Sequence, residues 1–219
     1  VKAIVFDHDG TLVDTVTSDM LACEALFTAR GAVFPRTMWA REVCGQPESY
    51  PTLFELVRTR TGTAVTDVEL WAELRANWAQ FMTVDHIRLL PGAVELLTGL
   101  SALGLPMAVA SAADRSWVEH WLTHFGLRGF FTAVVAGDEV ADRKPDPAVY
   151  LAAAAKLGVA PQDCVVVEDS LTGVTAARRA GARVYVVPTV HTRHLDHSAA
   201  DGVLSSLADF PLPDRVGTT

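Results

Sequence analysis

The chain has 219 residues, half of them hydrophobic and one fifth charged, with a formal charge of −8. That length buries a sizeable core in one large domain or in a core plus an insertion, and the acidic balance argues against a sequence-independent grip on nucleic acid, whose phosphates would meet like charge, while leaving room for a local basic pocket for one phosphate. No apolar run approaches the roughly 18 residues of a membrane-spanning helix, and no basic-then-apolar leader precedes the first strand, so a cytoplasmic protein with neither membrane nor nucleic-acid partner is expected.

Residues 1–6, VKAIVF, form a short β-branched run of the kind that becomes a strand buried on both faces. Directly behind it, FDHDGTLVDT sets three aspartates within eight positions. Residues 15–85 then offer helical patterns and no convincing strand, with candidates at 18–30, 37–44, 49–61 and 66–82 punctuated by Gly31, Gly45-Gln46-Pro47 and Gly62. This reads as a helical cap inserted after the first strand, returning near Leu90-Pro91-Gly92, so that its two linkers lie side by side at the strand end. The catalytic core is then residues 1–14 together with 86–219, and the cap is 15–85.

Further strand-like runs follow: PMAVASA, FTAVVAG, CVVVEDS, RVYVVP and a weaker one at 202–204. Amphipathic stretches at 116–125, 146–157 and 172–180 separate them, the last two ending at Gly158 and Gly181. Alternation of strand and helix predicts an α/β fold, a Rossmann-like, doubly wound parallel sheet. Cys23, Cys44 and Cys164 are odd in number and set among apolar neighbours, which predicts reduced, buried thiols.

Residues two apart in a strand point to the same side, so the end of the first strand can aim Asp7 and Asp9 into one space, with Gly10 allowing the turn beneath them. Two carboxylates that close are tolerable when a divalent cation sits between them or when one is protonated. Oxygen ligands alone suit a hard ion such as Mg²⁺. In doubly wound sheets the ligand crevice lies beyond the carboxyl ends of the strands, where this motif falls. The second strand runs into Ser111-Ala112-Ala113, a hydroxyl followed by small residues whose backbone N–H groups can face a phosphate. The third is followed by Arg143-Lys144-Pro145, where proline stiffens the loop that delivers a lysine. The fourth ends in Glu168-Asp169. Acid, hydroxyl, lysine and acid thus stand at four successive strand ends.

Those four sites together resemble the haloacid dehalogenase superfamily of Mg²⁺-dependent phosphohydrolases over essentially the whole chain. DHDGT at 7–11 matches the first family motif, Ser111 the second, Lys144 in RKPDP the third and Glu168-Asp169 the fourth. The inserted helices resemble the small cap of the branch that holds β-phosphoglucomutase, phosphoglycolate phosphatase and sugar-phosphate phosphatases. The resemblance implies that Asp7 is the nucleophile and forms an aspartyl-phosphate, and that Asp9 is the general acid and then the base. It implies Mg²⁺ ligated by Asp7, Asp169 and the Asp9 carbonyl, with Glu168 acting through metal-bound water. Ser111, Ala112 and Lys144 would hold the phosphoryl oxygens, with Thr11 supporting the loop. The partner implied is a small-molecule phosphate ester, bound by a monomer or weak dimer.

Dehalogenases of the same fold lack an acid two residues after the nucleophile, so Asp9 argues for phosphoryl transfer. β-Phosphoglucomutases carry a cap histidine and a cap arginine where this chain has Asp19 and Glu48, which favours a phosphatase over a mutase. A non-catalytic binding or regulatory module is the other class of answer; no motif acid is replaced, which argues against it. Arg115 is open to two readings, as a phosphate or substrate contact or as a solvated first-turn arginine. Asp14 and Asp19 read as helix-start acids rather than substrate contacts. The histidines of HTRHLDH lack a fourth ligand for zinc, and Trp71, Trp78, Trp117 and Trp121 read as packing.

Overall fold

The computed structural model describes residues 1–212. In chain order the elements are β1 (Ala3–Phe6), α1 (Val16–Thr28), α2 (Arg36–Glu42), α3 (Tyr50–Thr61), α4 (Asp67–Phe81), α5 (Ala93–Ala102), β2 (Met107–Ala110), α6 (Arg115–His124), β3 (Ala133–Val135), α7 (Ala148–Leu157), β4 (Cys164–Glu168), α8 (Leu171–Ala180), β5 (Arg183–Val186) and β6 (Gly202–Val203). The strands form one parallel sheet in the order β3-β2-β1-β4-β5-β6. The α/β doubly wound class expected from the sequence is the class observed.

β1 lies at the middle, with Val5 opposite Ala108 on one side and Val166 on the other. All four of its residues are buried, which is why it reads as an unbroken apolar run rather than an alternating one. The strand order reverses between β1 and β4, the switch point at which open α/β sheets bind ligands. Alanines on the inner faces of α7 and α8 (Ala153, Ala154, Ala176, Ala177) let these helices lie close against Val5, Ala108 and Val166.

The chain divides into two compact units. The first comprises Val1–Val13, Leu89–Thr189 and the chain from Asp196 on, and contains the sheet. The second comprises Asp14–Arg88 and Val190–Leu195. Val13 bridges Leu89, and the Asp14 N–H donates to the Arg88 carbonyl (2.8 Å), so the outgoing and returning segments run side by side.

The helical unit has its own core of Phe27, Trp39, Leu53, Phe54, Leu70 and Leu74. Thr66 and Glu69 form a reciprocal capping box at the start of α4. Trp71 and Trp78 pack with Tyr50 and Phe54, as their helical spacing suggests. Asp14 accepts the Thr17 N–H (3.0 Å) at the start of α1, the capping role expected of it.

Three features depart from the sequence reading. Helix α5 was not among the named candidates. Asp19 does lie in the first turn of α1, but it turns inward, and its Oδ1 accepts from Tyr50 Oη (2.9 Å) and Trp78 Nε1 (2.8 Å) inside the helical unit. Residues 190–195, read as core, group with the helices, because His191 Nε2 meets Thr17 Oγ1 at 3.1 Å and its ring lies edge-on to Trp39. The three cysteines are free and buried. Among the described residues no helix is long and apolar enough to cross a membrane.

Candidate active site

Asp7 is the first residue beyond β1, and its N–H still pairs with the Val167 carbonyl of β4 (2.9 Å), which fixes the backbone from which the carboxylate projects. Gly10, at φ +87°, then turns the chain so that Leu12 and Val13 donate back to the His8 carbonyl. Asp7 and Asp9 leave this turn in different company. Asp7 meets Lys144 Nζ at 2.5 Å and is nearly buried, whereas 27% of the Asp9 side chain is exposed.

Lys144 Nζ also donates to Glu168 Oε1 (2.7 Å) and sits 4.8 Å from the centre of the Tyr150 ring. Tyr150 Oη donates to the same Glu168 oxygen (2.6 Å). Glu168 Oε2 accepts from the Asp169 N–H, the Ser170 N–H and Ser170 Oγ, and Ser170 Oγ in turn caps α8 by accepting the Gly173 N–H. A Cβ at Gly173 would land on the Glu168 carboxylate, so the helix approaches this closely because residue 173 has no side chain. Asp169 turns the other way, accepting from Thr11 Oγ1 at 3.4 Å.

Burial is the largest influence on every one of these groups. It pushes the Asp7 carboxyl up to about 7, against the pull of Lys144 and with the push of Glu168 and Asp9. Asp169 is raised well above the usual range by burial and then by the charges of Glu168 and Asp7. For Lys144 burial lowers the value, but the Asp7 and Glu168 carboxylates override it and hold the ammonium above its ordinary range. Glu168 is held below the usual range, because Lys144 and the hydroxyl and backbone donors outweigh its burial.

Asp7, Glu168 and Asp169 each offer a carboxylate oxygen, and the three atoms lie within 4.8 Å of one another. One lysine faces three buried acids, so the cluster is short of positive charge, and its donors are all oxygen. A hard divalent cation such as Mg²⁺ fits that donor set. Asp7 and Asp169 are the two whose oxygens could hold it. Both oxygens of Glu168 are already committed to protein donors, so Glu168 serves first as the anchor of Lys144, a role the sequence reading did not give it.

Asp9 faces the Ser111 side of the site. Its Oδ2 accepts from Ser111 Oγ (3.3 Å), and its Oδ1 accepts from Trp117 Nε1 (2.8 Å). His8, fully buried between the two acids, has Nδ1 3.1 Å from Asp9 Oδ2. Ser111 Oγ also accepts the Ala113 N–H (3.0 Å), which closes the Ser111-Ala112-Ala113 turn.

Arg115 does not join this group. Its guanidinium donates to Glu119, Glu139 and the Val134 carbonyl at 2.6–2.9 Å, and these acceptors turn it into a brace between α6 and the segment after β3. Of the two roles open to Arg115, phosphate contact or solvated first-turn arginine, the structure displays neither; the guanidinium is engaged by protein acceptors. Trp117 is the residue that sequence reasoning passed over. It does pack, 5.7 Å from Trp121 centre to centre, but its one polar atom points at Asp9. The available signal was its place in the first turn of the helix that follows Ser111.

A model of the haloacid dehalogenase-like hydrolases matches residues 1–181. Hexitol phosphatase B of Escherichia coli is 32% identical, across 99% of this chain and 97% of its own length. Phosphoglycolate phosphatase of Thiobacillus denitrificans is also 32% identical, across 97% and 95% respectively. The crystal structure of CbbY from Rhodobacter sphaeroides in complex with phosphate superposes with a TM-score of 0.75 at 30% identity, covering 95% of this chain and 96% of that one. With acids, hydroxyl and lysine gathered at the carboxyl ends of β1, β2 and β4 and this match over most of its length, the chain belongs to the haloacid dehalogenase-like hydrolases.

Proposed function

We propose that the chain is a Mg²⁺-dependent phosphatase that hydrolyses a small phosphate monoester, a sugar phosphate or related metabolite, through an aspartyl-phosphate on Asp7. One observation carries the reading: Asp7, Lys144 and Asp169 meet beyond β1 and β4 while Asp9 stands apart beside Ser111, which separates a nucleophile from a proton carrier. The names of the relatives, a hexitol phosphatase and a phosphoglycolate phosphatase, supply the substrate class.

A carboxylate is a poor nucleophile toward a phosphate dianion, so the charge between them has to be offset before they can approach. Lys144, fixed by Glu168, contributes its positive charge to the phosphoryl oxygens, and Ser111 with the N–H groups of its turn binds them. Mg²⁺ held by Asp7 and Asp169 supplies the remaining charge stabilisation. Asp7 attacks phosphorus, the ester P–O bond breaks, and Asp9 gives a proton to the departing oxygen. In the second half a water attacks the same phosphorus, Asp9 takes its proton, and Asp7 is released with inorganic phosphate. The helical unit is the cap in this reading, and its task is substrate selection. Asp19 and Glu48 stand where a mutase would carry its histidine and arginine, which favours release of phosphate over its return to a sugar.

The test is turnover of p-nitrophenyl phosphate with Mg²⁺. Asp7→Asn is expected to lower it at least about a thousandfold, and a chelator to abolish it reversibly. Turnover that survives Asp7→Asn would overturn the mechanism. Incubation with a hexose 1-phosphate and its bisphosphate separates the branches, since free phosphate supports the phosphatase and an isomerised sugar phosphate the mutase.

A further inference from the structure

A carboxyl group that hands over a proton has to present the right oxygen, and nothing in the backbone turn at Gly10 decides which. Asp9 is partly exposed, and its terminal torsion is of the broad, two-fold kind. The contacts around it differ in what they can do. Ser111 Oγ, at 3.3 Å from Oδ2, can either donate or accept and so tolerates a carboxylate or a protonated acid. Trp117 Nε1, at 2.8 Å from Oδ1, is a donor only.

An indole N–H has no lone pair to offer, so its contact with Oδ1 is always a donation, and it fixes which way the carboxyl plane is turned. Oδ2 is then the oxygen on the Ser111 side, where His8 Nδ1 also lies 3.1 Å away. The donor is also held rigidly. Trp117 lies in the first turn of α6, whose Val118, Trp121 and Leu122 are buried, and the start of that helix is clamped by Arg115 through Glu119, Glu139 and the Val134 carbonyl. This gives the Arg115 brace a purpose: it fixes the helix turn that carries the indole.

We propose that Trp117 is a positioning residue for proton transfer, its indole N–H pinning Oδ1 of Asp9 so that Oδ2 faces the leaving oxygen. This rests on the reading of Asp9 as the proton carrier. A role confined to packing would affect every substrate alike, whereas a role in proton transfer weighs most where the leaving group is poor.

The experiment compares kcat/KM of wild type and Trp117→Phe on p-nitrophenyl phosphate and on phenyl phosphate. kcat/KM reports the steps up to departure of the leaving group, so the second, hydrolytic half does not mask the comparison. Trp117→Phe keeps a ring against Trp121 and removes the N–H. The expected result is a loss of about tenfold or more on phenyl phosphate and less than about twofold on p-nitrophenyl phosphate. In an Asp9→Asn background the same substitution should add less than about twofold on either ester. Because the ratio between the two esters does not depend on the folded fraction, a destabilised preparation still answers, and Trp117→Leu replaces it if none is obtained. Equal losses on both esters, no loss, or a full additional loss in the Asp9→Asn background would overturn the role of Trp117 while leaving the phosphatase reading intact. A wild-type chain that turns over neither ester removes that reading, and this role with it.

Discussion

Glu168 is fully buried, and its two oxygens take hydrogen bonds from Lys144, Tyr150, two backbone N–H groups and Ser170 Oγ. Such a carboxylate is stable only while its cation remains, since a buried charge left alone loses its solvation with nothing to replace it. Lys144→Met should therefore do more than remove a phosphate contact. We expect it to lower unfolding stability by about 3–5 kcal/mol, read from urea midpoints at constant slope, together with loss of turnover. If the variant were as stable as wild type, the lysine would not be the counter-charge of Glu168. The acids and Ser111 were legible because each stands at the end of a recognisable strand, where topology alone says that side chains converge, and Lys144 because the prolines around it mark the loop between β3 and α7 that delivers it. Tyr150 and Trp117 were not. Each is an aromatic residue at helical spacing, a pattern shared with every core position, and only the tertiary fold aims the single polar atom of each at Glu168 or Asp9.

Elements differed in legibility for a related reason. Strands β1 to β4 read plainly because every residue in them is buried and the run stays apolar up to the Glu168 that ends β4. Residues 190–195 carried no apolar period, only histidine recurring at every third position, and their place with the helices depends on single contacts such as His191 with Thr17. Helix α1 holds the clearest test at this scale. Its Asp19 serves Tyr50 of α3 and Trp78 of α4 through one oxygen, tying three helices to one acceptor. Asp19→Ala leaves both donors without a partner and should destabilise by about 1–3 kcal/mol. Asp19→Asn keeps an oxygen in place and should cost little. The pH trend separates the charge from the hydrogen bonds. Burial raises the Asp19 carboxyl from 3.8, so the folded chain retains a proton that the unfolded chain releases. That contribution to stability is full below 3.8 and is lost as pH rises through the folded value. Thermal midpoints of wild type should fall relative to those of Asp19→Asn across that rise, and parallel curves would remove Asp19 as the cause.

For the molecule as a whole, the cluster of buried acids couples folding to pH and to metal, because Asp7, Glu168 and Asp169 share one lysine. Asp7 is raised from 3.8 to about 7, and Asp169 is raised as well. Without a cation, the stability conferred by the Asp7 proton is present below 3.8 and declines as pH climbs through about 7, because only the folded chain still holds it, and the Asp169 proton acts in the same direction. Glu168 works in the opposite sense, but its contribution is lost only as pH falls below its ordinary value of 4.5. A divalent cation binds the deprotonated carboxylates, so its stabilisation should grow over the same interval in which the protons leave. At a hundredfold excess over the dissociation constant the gain is about 2.7 kcal/mol, a rise in thermal midpoint of roughly 5–10 °C for a chain of this size. The measurement is a melting series with Mg²⁺ or with a chelator at pH 6 and pH 8, on wild type and Asp169→Asn. Wild type should gain more from Mg²⁺ at the higher pH, and Asp169→Asn should gain little at either. An equal gain at both pH values, retained in Asp169→Asn, would place the cation elsewhere on this acidic chain and leave Lys144 as the only counter-charge of the cluster.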